Sequence, residues 1–222
     1  MDGGDGGALD SLFDTAESGE DREQRLEDLS RQVAVCTRCD LSQSRTNTVF
    51  GSGDPYSPLM LVGEGPGANE DATGLPFVGR AGKLLDDILA AVDLTRDQVY
   101  LTNTVKCRAA VEEGGRMKNR QPRTTEIRAC NPYLQAQFET IKPGIILCLG
   151  GPAAKTIIDR DFKITRDRGQ WREAYGAMAM ATFHPAYVLR QQGEEINQTK
   201  RQVWQDIQNV YAEYQKIMEE RG

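Results

Sequence analysis

Three polar side chains stand just past apolar runs, a placement that suits chemistry. Glu64 follows Leu59–Val62, Asn103 follows Val99–Thr102, and His184, the only histidine of the chain, follows Ala177–Phe183. A carboxylate can orient water or take its proton, an amide can donate and accept together, and an imidazole can do either near neutral pH. The plain alternatives are a turn-capping asparagine and a structural histidine. A second constellation is sulfur: Cys36 and Cys39, in CTRC, have the two-residue spacing that lets both thiolates face one metal, and Cys107 and Cys130 follow far downstream. Four thiolates suit zinc or a [4Fe-4S] cluster, and the spacing leaves both open. Four unrelated buried cysteines would be the bland reading. Cys148, inside GIILCLG, reads as core.

Positioning these groups is the task of strands and loops. The stretch LMLVGEGPGANEDATGLPFVGRAGKLLDDI, from Leu59 to Ile88, reads as strand, glycine-rich loop and helix. Gly63, Gly65 and Gly67 let the loop turn sharply and approach a ligand closely. GEGPG is neither the dinucleotide fingerprint nor a P-loop, so no nucleotide cofactor is read from it. Further along, helices are expected at Ala81–Val92, Thr124–Thr140 and Gly151–Ile158, and strands at Val99–Thr102, Ile145–Leu149 and Ala177–Phe183. Strand and helix thus alternate, which predicts a three-layer α/β/α fold with a central four-stranded parallel sheet and right-handed crossovers. Such a sheet delivers the carboxyl ends of its strands to one edge, so Glu64, Asn103 and His184 can converge. A covering helix over Ile196–Met218 puts Val203, Ile207, Val210, Tyr211, Tyr214 and Met218 on one face.

The chain has 222 residues and is 39% hydrophobic, enough for one good-sized core. No apolar run approaches the ~20 residues that span a bilayer, and the start lacks signal-peptide character. A cytoplasmic protein with no membrane association is expected. The net charge of -6 is unevenly spread: residues 1–20 hold six acids and no base, leaving 27 of each sign in residues 21–222. A disordered acidic tail, 1–20, is therefore expected before a single domain, 21–222. Within that domain a helical pattern runs from Asp21 through Leu26, Leu29 and Val33. Lys106 to Arg128 holds seven bases against three acids, a local surplus that could hold phosphates.

From about Val35 to Arg190 the chain resembles the family 4 uracil-DNA glycosylases, the iron-sulfur type. The likeness rests on CTRCDLSQSRTNTVFGSG, GEGPG, GLPFVGRAGKLL, LTNTVKCR, the four cysteines and HPAYVLR, in that family's order. It implies a monofunctional, monomeric enzyme that flips uracil out of single- or double-stranded DNA and hydrolyses its bond to deoxyribose. It further implies a uracil pocket of Gly63, Glu64, Gly65, Phe77, Asn103 and His184. There Phe77 stacks on the base, Asn103 reads uracil against cytosine, His184 donates toward O2 and Glu64 orients the attacking water. Cys36, Cys39, Cys107 and Cys130 would hold the [4Fe-4S] cluster. Tyr187, Val188 and Leu189 would wedge into the duplex, with Arg190, Arg80, Lys106 and Arg108 on the DNA backbone. One departure is a longer loop between Cys107 and Cys130, with VEEGGRMKN in excess. A related uracil-binding group carries there a histidine that captures the sugar, and none is present here, so turnover is expected over trapping. A binding protein that holds uracil sites without release, and a metal-stabilised nucleic-acid module without catalysis, are the competing readings.

Overall fold

The computed structural model describes residues 19–221. The expected acidic tail lies outside the described residues, except that Gly19 and Glu20 open the first helix. In chain order the elements are α1 (Gly19–Ala34), β1 (Ser52–Gly53), β2 (Leu59–Gly63), α2 (Ala68–Thr73), α3 (Arg80–Ala90) and β3 (Tyr100–Asn103). There follow β4 (Ala110–Glu113), β5 (Arg116–Asn119), α4 (Thr124–Ile141), β6 (Ile145–Leu149) and α5 (Gly151–Ile157). The chain closes with α6 (Ile164–Asp167), β7 (Arg172–Ala174), β8 (Ala177–Thr182), α7 (Pro185–Val188) and α8 (Gly193–Arg221).

One sheet runs β1-β3-β2-β6-β8-β7, and its inner four strands are parallel. These are the four expected strands; β1 and β7 add short antiparallel edges. Period-two alternation explains the layering. Leu59 and Leu61 of β2, with Ile145 and Leu147 of β6, pack on Leu85, Leu89, Ile207 and Val210 of α3 and α8. Met60, Val62, Ile146 and Cys148 point the other way, onto Leu134, Phe138, Ala153 and Ile157 of α4 and α5, with Leu26 and Val33 of α1 joining that layer. Helices therefore cover both faces. The face of α8 predicted to pack does so at Val203, Ile207, Val210 and Tyr214, whereas Met218 is 44% exposed and its neighbour Ile217 packs instead. No described helix is long and apolar enough to cross a membrane.

The excess residues after Cys107 form a two-stranded hairpin, β4–β5, in place of an irregular loop. Gly114 and Gly115 supply the two positive φ angles, 61° and 72°, that a tight hairpin turn requires. Cys107 lies in the loop beyond β3, which stops at Asn103.

Candidate active site

Parallel pairing sets the geometry. Gly63 and Asn103 are register partners at the ends of β2 and β3, so Glu64, one residue on, lies beside the amide. Thr104 Oγ1 donates to the Glu64 carbonyl at 2.6 Å and Val105 N–H donates to it at 3.3 Å, which fastens the glycine-rich loop to the next strand. His184 arrives from β8, where it caps the N-terminus of α7. Glu64, Asn103, His184 and Phe77 all line one cavity of about 620 Å³. Gly65 lines it too; Gly63 does not, but it backs two residues that do, since a Cβ there would stand 2.7 Å from Phe77 Cζ and overlap Asn103 Oδ1.

Each side chain is prepared in a different way. Glu64 Oε1 is buried without a hydrogen-bond partner among the described residues. Burial pushes its carboxyl above the usual carboxylate range, because a charge is disfavoured away from water. Asn103 is buried, and no described residue hydrogen-bonds its side-chain amide. His184 Nδ1 accepts the Ala186 N–H at 3.0 Å. A neutral ring with Nδ1 accepting carries its proton on Nε2. Burial, followed by the neighbouring Arg190 charge, lowers the pKa of His184 to about 4 against an opposing pull from Glu70. The ring is accordingly a neutral donor at physiological pH.

Phe77 is held in a costly conformation, φ 54°, uncommon for any residue but glycine. Two clamps sustain it. Arg96 donates to the Pro76 carbonyl at 3.1 Å and also to the Phe77 carbonyl, while Glu70 accepts the N–H groups of Gly67, Val78 and Gly79 at 3.0, 3.0 and 2.9 Å. Gly82 leaves room for the Phe77 carbonyl, where any Cβ would collide. The Phe77 ring then lies 6.3 Å from the His184 ring at a 35° tilt. Sequence reasoning missed both clamps. Glu70 had a signal, three residues after the Gly67 that starts α2, as in a capping box; Arg96 had none.

The expected DNA contacts divide. Arg80, Tyr187 and Arg190 line the mouth of the cavity, and Leu189 is 38% exposed next to them. Tyr187 stacks on Phe183 with ring centroids 4.9 Å apart. Val188 cannot wedge into a duplex, because it is buried with Phe183 and Val203. Lys106 likewise cannot reach a phosphate: it is 1% exposed and donates to Thr102 Oγ1, the Asn103 carbonyl and Gln137 Oε1. Burial drives its pKa down to about 7. Arg108 is occupied by the hairpin, donating to Asn119 Oδ1 at 2.7 Å and the Met117 carbonyl at 3.2 Å. Arg120 forks onto Glu126 at 2.8 and 2.6 Å, and Lys118 pairs with Glu113 at 2.8 Å. Four of the seven bases of that stretch, Lys106, Arg108, Lys118 and Arg120, are thus engaged by the protein's own groups.

Cys36, Cys39, Cys107 and Cys130 line a separate small cavity behind Asn103, and Cys148 stands apart inside β6. The Lys106 N–H donates to Cys130 Sγ at 3.3 Å and Arg45 donates to Cys107 Sγ at 3.4 Å, contacts that suit thiolates. No group of three or more His, Cys, Asp or Glu among the described residues is arranged to hold a metal ion.

Residues 50–208 match the model of the uracil DNA glycosylase superfamily. The chain is 40% identical over 191 residues to a type-4 uracil-DNA glycosylase of Thermotoga maritima, covering 85% of this chain and 94% of the relative. To the type-4 enzyme of Archaeoglobus fulgidus it is 41% identical over 174 residues, 75% of this chain and 84% of the relative. To that of Sulfurisphaera tokodaii it is 43% identical over 173 residues, 74% and 76% respectively. With a whole-domain match and relatives at this identity, the chain belongs to the uracil DNA glycosylase superfamily and, within it, to the type-4 family.

Proposed function

We propose that this protein removes uracil from DNA, single- or double-stranded, by hydrolysing its N-glycosidic bond and leaving an abasic site. The observation that carries this reading is the sharing of one cavity by Glu64, Phe77, Asn103 and His184, with Glu64 Oε1 buried and left without a hydrogen-bond partner among the described residues. Unpaired buried polar groups are costly, and their persistence in a concave site is explained by a ligand that completes them. A flipped pyrimidine does so. Phe77 meets its face, and the Asn103 amide accepts from N3–H while donating to O4, a pattern that cytosine inverts at both atoms. His184 Nε2–H donates to O2 as negative charge develops on the departing base, a role that needs a neutral ring with its proton on that nitrogen. Glu64, poised by burial, orients water toward C1′ and accepts its proton, and its charge favours the cationic sugar.

Leu189 and Tyr187 would fill the gap left in a duplex, with Arg190 and Arg80 taking phosphates; the exposure of Leu189 and the lining of the cavity by the other three support this. Cys36, Cys39, Cys107 and Cys130 hold a [4Fe-4S] cluster. Four thiolates are the donor set such a cluster would take, and the N–H groups of Lys106 and Arg45 on two of the sulfurs suit their ionised form. Held by these four residues, a cluster would tie the segment after α1, the loop after β3 and α4 together; proton handling belongs to Glu64 and His184. The hairpin β4–β5 carries no histidine, which favours turnover over covalent capture of the sugar.

The test is a labelled single-stranded oligonucleotide with one uracil, incubated with protein and then with alkali. Strand breakage at the uracil position is expected. Absence of breakage, or a protein–DNA adduct that survives SDS, would contradict the proposal.

A further inference from the structure

A second cavity of about 910 Å³ adjoins the first and shares Glu64, Gly151 and Pro152 with it. Arg128 of α4, Lys155 of α5, and Arg160 and Lys163 just beyond α5 line it, and Glu64 is its only acidic lining residue. All four cations are exposed. Arg160 has Asp161 as a neighbour at 3.6 Å. Arg128, Lys155 and Lys163 have no side-chain hydrogen bond or ion pair among the described residues, in contrast to Arg120, which is held by Glu126. Like charges gathered on a concave wall without counter-charges repel one another, and a polyanion relieves that repulsion.

An aromatic ring stands among these cations. Tyr175 lines the same cavity, is 42% exposed and is stacked on Phe138 with ring centroids 4.4 Å apart. Its backbone φ of 51° is unusual for a bulky residue and fixes it in the turn between β7 and β8. Cations that track a backbone, combined with an aromatic platform, form the pattern that holds single-stranded nucleic acid.

We propose that this second cavity is the track for the unpaired strand on one side of the flipped nucleotide. Arg128, Lys155 and Lys163 take its phosphates, and Tyr175 takes the face of a base. The inference deepens the proposed function and rests on it, since the first cavity must hold the flipped nucleotide for the second to hold its neighbours.

The test is binding of full-length, cluster-loaded protein to a fluorescent single-stranded oligonucleotide bearing one tetrahydrofuran abasic analogue, which offers no base to release. Each phosphate contact contributes about 0.7 to the slope of log Kd against log salt on a single strand, so Arg128→Gln, Lys155→Gln and Lys163→Gln together should lower it by about 2. Tyr175→Leu should weaken binding about tenfold with the slope retained. With the analogue at one terminus or the other, the triple variant should lose affinity for one polarity only. An unchanged slope, an unaffected Tyr175→Leu, equal losses at both polarities, or equal competition by polyglutamate would overturn the track. Uracil release with an unchanged slope refutes the track alone, and a lowered slope without uracil release refutes the proposed function alone.

Discussion

Replacing Gly63 by alanine adds one methyl group at the point where three parts of the site meet. Its Cβ would lie 2.7 Å from Phe77 Cζ and 3.2 Å from Cε1, and would overlap Asn103 Oδ1. Carbon atoms sit comfortably about 3.5–4.0 Å apart, so something must move. Neither neighbour yields easily: Asn103 ends a fully buried strand, and Phe77 is clamped through Arg96 and Glu70. Overpacking of this kind costs about 1–3 kcal/mol, which would lower Tm by several degrees without unfolding the domain. A displaced amide also loses a hydrogen bond to the base, about 1–3 kcal/mol, equivalent to roughly 5- to 150-fold in kcat/KM. Single-turnover uracil release, measured with thermal melts on the same preparations, reads both effects. A cycle with Asn103→Ala identifies the cause, because the methyl should add little further loss once the amide is gone. Wild-type kcat/KM in Gly63→Ala, or losses that simply add in the double variant, would refute the reasoning.

Glu64→Gln should lower the chemical rate by about 10²- to 10⁴-fold while leaving KM little changed. Because burial raises the Glu64 carboxyl and the ionised form is the active one, the wild-type rate should climb with pH through a value above the ordinary carboxylate range, as a pH–rate profile will show. His184→Ala should cost about 10²- to 10³-fold in kcat through loss of the Nε2 donor. As the only histidine, His184 gives one unambiguous NMR titration, expected near its lowered value of about 4. Its stabilising contribution is fully present above the unfolded pKa of about 6.5 and is lost as pH falls toward about 4, so Tm should decline across that window. Cys107→Ala should abolish visible iron-sulfur absorption and lower iron content, whereas Cys148→Ala should retain both and lose only core packing.

Much of the scaffold was legible because its signals are local. Unbroken apolar runs marked β2, β6 and β8, and the polar residues just past the β2 and β8 runs marked strand ends, which is how Glu64 and His184 were singled out. Less legible were features made by distant partners. The edge strands β1 and β7 are two and three residues long and carry no periodicity. Lys106 sits in a basic stretch and reads as a phosphate ligand, yet Thr102, Gln137 and the Asn103 carbonyl draw it inward. Val188 illustrates the same limit, since HPAYVLR does not state which of three adjacent apolar side chains faces Val203. Arg96, 19 residues from the Phe77 carbonyl it holds, is visible only once the chain is folded.

The central claim is that Glu64, Asn103 and His184 act together on one flipped pyrimidine. It is tested most directly by chromatographic quantification of the free base released from matched oligonucleotides carrying a single uracil, cytosine or thymine. The wild-type protein should release uracil in an amount equal to the substrate supplied and no base from the other two, with release by Glu64→Gln slowed at least a hundredfold. Equal release of cytosine, or wild-type rates from Glu64→Gln, would contradict the account.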